Sequence, residues 1–511
     1  MGDLKYKRIF KVLLIIFVIL ISGLMIYKIH YSYTGFIYNP HNNLGYIFVK
    51  NFNYPFPIHA DEWTHLSQVV YILESKTLGF RNPYSSELIF HKDFELGFHL
   101  FLALFFKLTF LNPVLGYQFL PALFFILNAI FLFFFVKMLT KNYYIALFSI
   151  LFFLAIPSNT NFLGNWFAVP LTFSIFFIYS FFICLLKFLE TKKKIYLFFA
   201  ILSYLFSLSY PIATVLITLI SIFYLFFELR IYKELKKYKI PMIFIFLVLL
   251  LGLVFFAKYL SFLIFSRDWT PFQYNYSLIF FYGLIPSVLA VLGVYFVLHK
   301  KFNRIFILWP LICLLNLLSY RIIGFGLFIP YERTMYYFLL GLVPLASIGL
   351  FYLLKPAYTF MMRKFSSKYK KWLSLFVILI LVFITFFFVF KGYYNIKEKD
   401  LSLVHLLDKQ DYDALKFIEK TYGKGNIILA DDLVSIGIYP ISKNHVVSIQ
   451  GSNLGYGDTE IQRLFFKSNC GDKEKIINQF EVDFVLSRFE IDCDFLKKIY
   501  NEEDYVYGIK K

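Results

Sequence analysis

Charge is scarce in this chain. Of its 511 residues only 16% are charged, while 59% are hydrophobic and 22% aromatic, and the mean hydropathy is +0.66. That composition excludes an ordinary soluble domain and leaves a multi-span membrane protein. Acid is scarcer than base, at 32 Asp and Glu against 51 Lys and Arg, for a formal net charge of +19. The excess does not point to nucleic acid, because the basic residues fall in short blocks between long apolar runs, the pattern of cytoplasmic loops. No GxGxxG precedes a helix and no Walker motif occurs. The phosphate-cradling loop of a cytosolic nucleotide-sugar enzyme is therefore missing. HExxH spacing is missing too, which excludes the zinc-protease arrangement. There are four cysteines. Cys184 and Cys313 lie inside apolar runs and read as core residues, whereas Cys470 and Cys493 lie in the polar tail. These two can pair if the tail is outside the cell, and their spacing leaves the pairing open.

What is present is mostly apolar segment. Runs long enough to cross, at about 20 residues each, fall near 9–29, 117–136, 143–157, 166–187, 195–209, 211–229, 241–260, 278–298, 304–320, 336–354 and 372–391. The first reads as an uncleaved span, since it is long for a signal peptide and no small-residue cleavage site follows. Tyr210-Pro211 breaks 195–229 into a tight helical hairpin. A further segment, 94–111, is amphipathic and carries Glu95, His99 and Lys107. The six basic loops fall on one side of the membrane only if it does not cross, so it is expected to lie flat at the outer interface.

The expected fold is thus a polytopic α-helical membrane protein of about eleven transmembrane helices, N-terminus cytoplasmic. Its parts are a first span at 1–29, a large external loop at 30–116, a helix bundle at 117–392 and a small external α/β domain at 393–511. In the last part, β-rich runs at 426–429, 446–449, 483–486 and 505–509 alternate with helical patterns at 413–420 and 473–480.

One stretch of the first external loop stands out. His59-Ala60-Asp61-Glu62-Trp63-Thr64-His65-Leu66 sets two carboxylates, two histidines and a tryptophan between apolar segments. Leu66, Val69, Val70 and Leu73 form one stripe, so the stretch opens a helix. On its own Asp61 reads as an N-cap and Glu62 as a favourable first-turn charge. Against that, Asp61 and His65 stand at i, i+4 on one face, and the helix lies by the outer bilayer surface, where charge is costly. A carboxylate there can take a proton from an acceptor hydroxyl. A carboxylate-held Mg²⁺ or Mn²⁺ would need further oxygen ligands.

DEWTHLSQVVYILES, followed by FHKDFELGFHLFLALFFKLTF and LGYQFLPALFFILNAIFLFFF, resembles in order and spacing the GT-C superfamily of membrane glycosyltransferases, of the protein O-mannosyltransferase and aminoarabinose transferase type. The architecture is similar over the whole chain, though the motif is short. The resemblance implies that one carboxylate of the pair is a general base or positions the acceptor, carried first to Asp61 and second to Glu62. It implies a phosphate-binding role for Lys92 and an acidic one for Asp93, although bacterial members have Glu-Lys-Pro-Pro where this chain reads His91-Lys92-Asp93-Phe94-Glu95. Members also carry a second acid before the Pro that starts the fourth span. Here Asn165-Trp166-Phe167-Ala168-Val169-Pro170 has none, which favours a metal-independent reaction over a two-carboxylate metal site, with a divalent cation as the only cofactor left open. A late-span arginine binds phosphate in the family, a role carried to Arg333 in Tyr331-Glu332-Arg333, with Arg321 as a further clamp. An Arg333–Glu332 charge pair or a snorkelling anchor is the competing reading of that place. His59, His65, Trp63, Asp93, Glu95, Tyr331 and Glu332 complete the expected substrate site. Arg267-Asp268-Trp269 reads rather as an interfacial anchor.

The function expected from this is inverting transfer of a sugar from a polyisoprenyl-phosphate donor to a hydroxyl of a lipid, glycan or protein acceptor at the outer face. Membrane lipids are the other partners, and nucleic acid is not one. The alternative is a transporter or flippase of lipid-linked saccharides, which would place paired charges near the bilayer midplane and show repeated halves.

Overall fold

The computed structural model describes residues 2–38, 46–78, 80–87, 89, 93, 95–158, 162–228, 281–323, 326, 329–364, 376–377, 379–385, 387, 404–449, 459–502 and 504–510. The expected span at 241–260, Lys92, and Arg267-Asp268-Trp269 lie outside them, and the span at 372–391 is described only in part. Among the described residues, five helices are long and apolar enough to cross a membrane: Ile9–Tyr31, Pro113–Thr140, Pro170–Thr191, Ile305–Ile322 and Tyr331–Pro356. Apolar helices also occupy the expected positions at Tyr143–Leu154, Lys194–Ser207, Pro211–Phe227 and Leu284–His299, but they are shorter. The chain is a multi-pass helical membrane protein, and among the described residues helices of spanning length number five.

Two units divide the chain. One comprises Met1–Gly23, Phe125–Asn165 and Ser174–Gly392; the other comprises Leu24–Phe124, Trp166–Phe173 and Tyr393–Lys511. In the first, Tyr331–Lys364 is the central helix, packed by Leu284–His299, Ile305–Ile323 and Tyr143–Leu154. Glycine brings two of these backbones together: a Cβ at Gly293 would stand 2.0 Å from the Leu345 carbonyl oxygen, and one at Gly349 would stand 2.0 Å from that of Leu289. Apolar lipid gives helices no hydrophobic reason to associate, so close packing of this kind and buried polar bonds must hold them. Ser149 Oγ donates to Ser347 Oγ at 3.0 Å, and Trp309 Nε1 donates to the Tyr337 carbonyl at 2.9 Å. The expected hairpin is present: Lys194–Ser207 ends before Pro211 starts the next helix, where its missing N–H is harmless.

The second unit holds the segment that follows the first helix and the C-terminal domain. A β-hairpin, Ser32–Tyr38 with Tyr46–Asn53, leads into the helix Ala60–Ser75, and Leu96–Thr109 packs against that helix. With 14 residues, the latter is about 21 Å long, too short for a hydrocarbon core of about 30 Å. The C-terminal part is α/β, as expected. Its sheet runs His445–Val446, Ile427–Leu429, Phe484–Ser487, Tyr505–Ile509, Leu496–Asn501. The first three strands are parallel and the last two pair antiparallel. Leu429, Val485, Phe465, Ile477 and Tyr507 form its core. The helices are Lys409–Tyr422, Thr459–Lys467 and Cys470–Gln479. Cys470 and Cys493 are disulfide-bonded, with Cα atoms 5.6 Å apart.

Candidate functional site

The acidic motif opens its helix differently from the simplest reading of the sequence. The N-cap is His59, not Asp61: its Nδ1 accepts from the Asp61 N–H at 3.0 Å. Glu62 closes a capping box by accepting from the N–H of His59 at 3.1 Å, and its Oε2 also takes the N–H of Ile58 at 2.8 Å. Its other oxygen accepts from the Ala168 N–H at 2.7 Å. Glu62 is fully buried, and burial raises its carboxyl to about 7 against the pull of those three N–H groups. Two carboxylates that look equivalent in sequence therefore differ. Glu62 is bound on both oxygens to backbone, a positioning role, whereas the side chain of Asp61 stays 26% exposed on the first turn.

The loop before Pro170, which carries no acid, is here too. Ala168 gives its N–H to Glu62 and its carbonyl to the Tyr117 hydroxyl at 2.5 Å. The loop thus contributes a donor to the carboxylate already present. Phe167 packs edge-on to His59, with ring centroids 5.4 Å apart.

The C-terminal domain braces the motif from its other end. His405 N–H donates to the Ile58 carbonyl at 2.7 Å, beside an antiparallel bridge between His59 and Val404. Tyr84 Oη donates to the Ile436 carbonyl at 2.8 Å, and Val446 N–H returns a bond to the Tyr84 carbonyl at 3.0 Å. Trp63, expected to touch substrate, is completely buried, packed near Phe56. It is a core residue here.

A second cluster lies one turn along. His65 Nδ1 is 3.0 Å from His99 Nε2 and 3.6 Å from Glu95 Oε2. Asp93 accepts from His99 Nδ1–H at 2.7 Å and, on its other oxygen, from the Glu95 N–H at 2.9 Å. Sequence reasoning marked His65, Asp93 and Glu95 but gave His99 no role. The signal was available: Glu95 and His99 repeat the i, i+4 spacing of Asp61 and His65.

The expected phosphate-binding arginines lie in the first unit. Arg321 Nε and Nη2 donate to the Tyr331 hydroxyl at 3.1 and 2.8 Å. Glu332 is buried, and Arg333 beside it is partly exposed.

A third acidic group belongs to the C-terminal domain. Buried Arg488 is hydrogen-bonded to both oxygens of Asp411 and to the Leu406 carbonyl. Burial pushes Asp408 up to about 6 and Asp504 up to about 9. It pushes Asp411 up as well, but Arg488 outweighs that and leaves Asp411 below its ordinary value. The guanidinium pairs with Asp411, and its charge also favours the ionised forms of Asp408 and Asp504. Asp431 and Asp432 act structurally: Asp431 accepts from the Leu433 N–H at 3.1 Å, and Asp432 pairs with Arg463 at 3.1 Å.

No protein-family model matches the sequence, and no curated protein matches it. Solved structures do. The crystal structure of the Archaeoglobus fulgidus oligosaccharyltransferase in the apo form aligns over 93% of this chain and 69% of its own, with a TM-score of 0.59 at 12% identity. The fold is an oligosaccharyltransferase-like one. The archaeal oligosaccharyltransferase AglB from Archaeoglobus fulgidus, in complex with an inhibitory peptide and a dolichol-phosphate, aligns over 94% of this chain and 70% of its own, with a TM-score of 0.57 at 12% identity. The Archaeoglobus fulgidus oligosaccharyltransferase complex with Zn and sulfate gives 0.55 at 11% identity, over 92% and 68%. The likeness is one of fold, and it does not single out an O-mannosyl or aminoarabinose transferase.

Proposed function

We propose that this chain is a GT-C membrane glycosyltransferase that moves a sugar from a polyisoprenyl-phosphate-linked donor to an acceptor at the outer membrane face. The observation that carries the proposal is the division of labour within the acid pair. Glu62 is spent on three backbone N–H groups, and Asp61 remains accessible on the turn they fix. Asp61 acts as the general base on the acceptor nucleophile, and attack opposite the phosphate inverts the anomeric carbon. Arg333, with Lys92 and Arg321, holds the leaving phosphate, where a planar guanidinium matches phosphate oxygens. The shared fold supports the reading, since one similar structure holds dolichol-phosphate. The Cys470–Cys493 disulfide supports an oxidising, external compartment for the C-terminal domain, and with it the cytoplasmic N-terminus.

The test is Asp61→Asn in vesicles supplied with polyprenyl-phosphate sugars. Removing a positioned base costs roughly 10²–10⁴ in rate, so transfer should fall by at least about a hundredfold with membrane insertion unchanged. Full transfer by Asp61→Asn removes Asp61 as the base. Transbilayer movement of the lipid-linked sugar without transfer would favour a flippase instead.

A further inference from the structure

We infer that His65, His99 and Glu95 form a binding site for one divalent transition-metal cation of the zinc class. The three ligand atoms lie within 4.8 Å of one another. The imidazole nitrogens face each other at 3.0 Å, with the carboxylate oxygen 3.6 Å from His65 Nδ1. Ligands bound at 2.0–2.1 Å around a tetrahedral ion stand about 3.4 Å apart, so the site needs only small adjustments to close on one. Two imidazoles and a carboxylate also suit this class of ion better than Mg²⁺ or Ca²⁺, which prefer all-oxygen shells.

The surroundings are those of a built site. Asp93 orients two of the three ligands, one oxygen on the His99 ring and the other on the Glu95 backbone. Its bond to His99 Nδ1–H fixes the tautomer that turns the Nε2 lone pair toward the common point, the arrangement by which carboxylates support metal-bound histidines. Phe98 packs edge-on to His65, with ring centroids 5.3 Å apart at 85°, which limits rotation of the second ring. His65, when it binds the ion through Nδ1, carries its proton on Nε2. The His65, His99 and Asp93 side chains are 8%, 4% and 2% exposed, whereas Glu95 is 22% exposed and gives an ion its way in. Three protein ligands leave a fourth position for water or an anionic group. Among the described residues a further cluster, Asp408, Asp411 and Asp504, already pairs with the Arg488 guanidinium through Asp411.

This site does not depend on the transferase reading, and its test reads metal, not turnover. Untagged protein, stripped with a chelator and passed through resin, is titrated with Zn²⁺ and its bound metal counted by mass spectrometry. The expected result is one Zn²⁺ per chain, lost in His99→Ala, with Co²⁺ replacement giving the intense visible bands of a tetrahedral site. Asp93→Asn, which keeps all three ligands, should weaken Zn²⁺ binding about 10–100-fold and serves if His99→Ala fails to fold. Asp61→Asn should keep its metal. Wild-type protein that binds no stoichiometric Zn²⁺, or an Asp93→Asn variant that binds it as tightly as wild type, overturns the assignment.

Discussion

Glu62→Ala removes the carboxylate that holds the N–H groups of Ile58, His59 and Ala168. Leaving three buried donors without an acceptor costs about 2 kcal/mol each, about 6 kcal/mol in all. The opposing term is the buried charge itself. Burial raises the carboxyl from 4.5 to about 7, so removing it relieves about 3 kcal/mol at high pH, from about 1.4 kcal/mol per unit. The net loss at pH 8 is therefore about 3 kcal/mol. Its pH dependence is the sharper signature. Because the folded value lies above the unfolded one, the native protein binds the extra proton between about 4.5 and 7, and wild-type stability rises as pH falls through that window. Alanine lacks this term, so at pH 5.5 its deficit grows by about 2 kcal/mol. Amide hydrogen exchange, compared between variant and wild type at each pH, reads the local opening at these three positions. Ala168 should lose protection by about a hundredfold at pH 8, and by clearly more at pH 5.5. Unchanged protection at Ala168, or a ratio that stays level with pH, would refute the claim that Glu62 ties the loop to the helix.

Three further outcomes follow from the packing. Gly293→Val places a side chain where a Cβ already meets the Leu345 carbonyl at 2.0 Å; helix separation should cost about 1–3 kcal/mol, seen as a lower melting temperature in detergent. The Cys470–Cys493 bond joins residues 23 apart, so losing it should cost about 3 kcal/mol, with reductant lowering the melting temperature of wild type but not of a Cys470→Ser/Cys493→Ser variant. Arg488→Ala leaves Asp411 buried without its partner and should destabilise by about 3–5 kcal/mol; adding Asp411→Asn should recover part of that, measured as a double-mutant cycle.

Local patterns were legible and distant bonds were not. The break at Tyr210-Pro211, the helix opened by the acidic motif and four strands of the C-terminal sheet all follow from short-range periodicity and turn chemistry. The strand Leu496–Asn501 was not legible, because LKKIYN shows little apolar alternation on an edge that is mostly exposed. The helix Thr459–Lys467 places Ile461, Leu464 and Phe465 on one face, but nine residues are too few for that spacing to repeat. Among the described residues, the helices at Tyr143–Leu154, Lys194–Ser207 and Leu284–His299 are shorter than a full crossing, since an apolar run measures composition and not where backbone hydrogen bonding stops.

The acid pair shows the limit most clearly. Sequence spacing made Asp61 and Glu62 two candidates for one role, because nothing local separates adjacent carboxylates at the start of a helix. What separates them is a backbone N–H 106 residues away at Ala168, and backbone donors leave no mark in side-chain pattern. The same bond gives physical content to the missing acid near Pro170. With an Asp in that loop, a carboxylate would face buried Glu62 and both would resist ionisation. With a backbone donor there, Glu62 holds the loop, and Asp61 keeps its exposure.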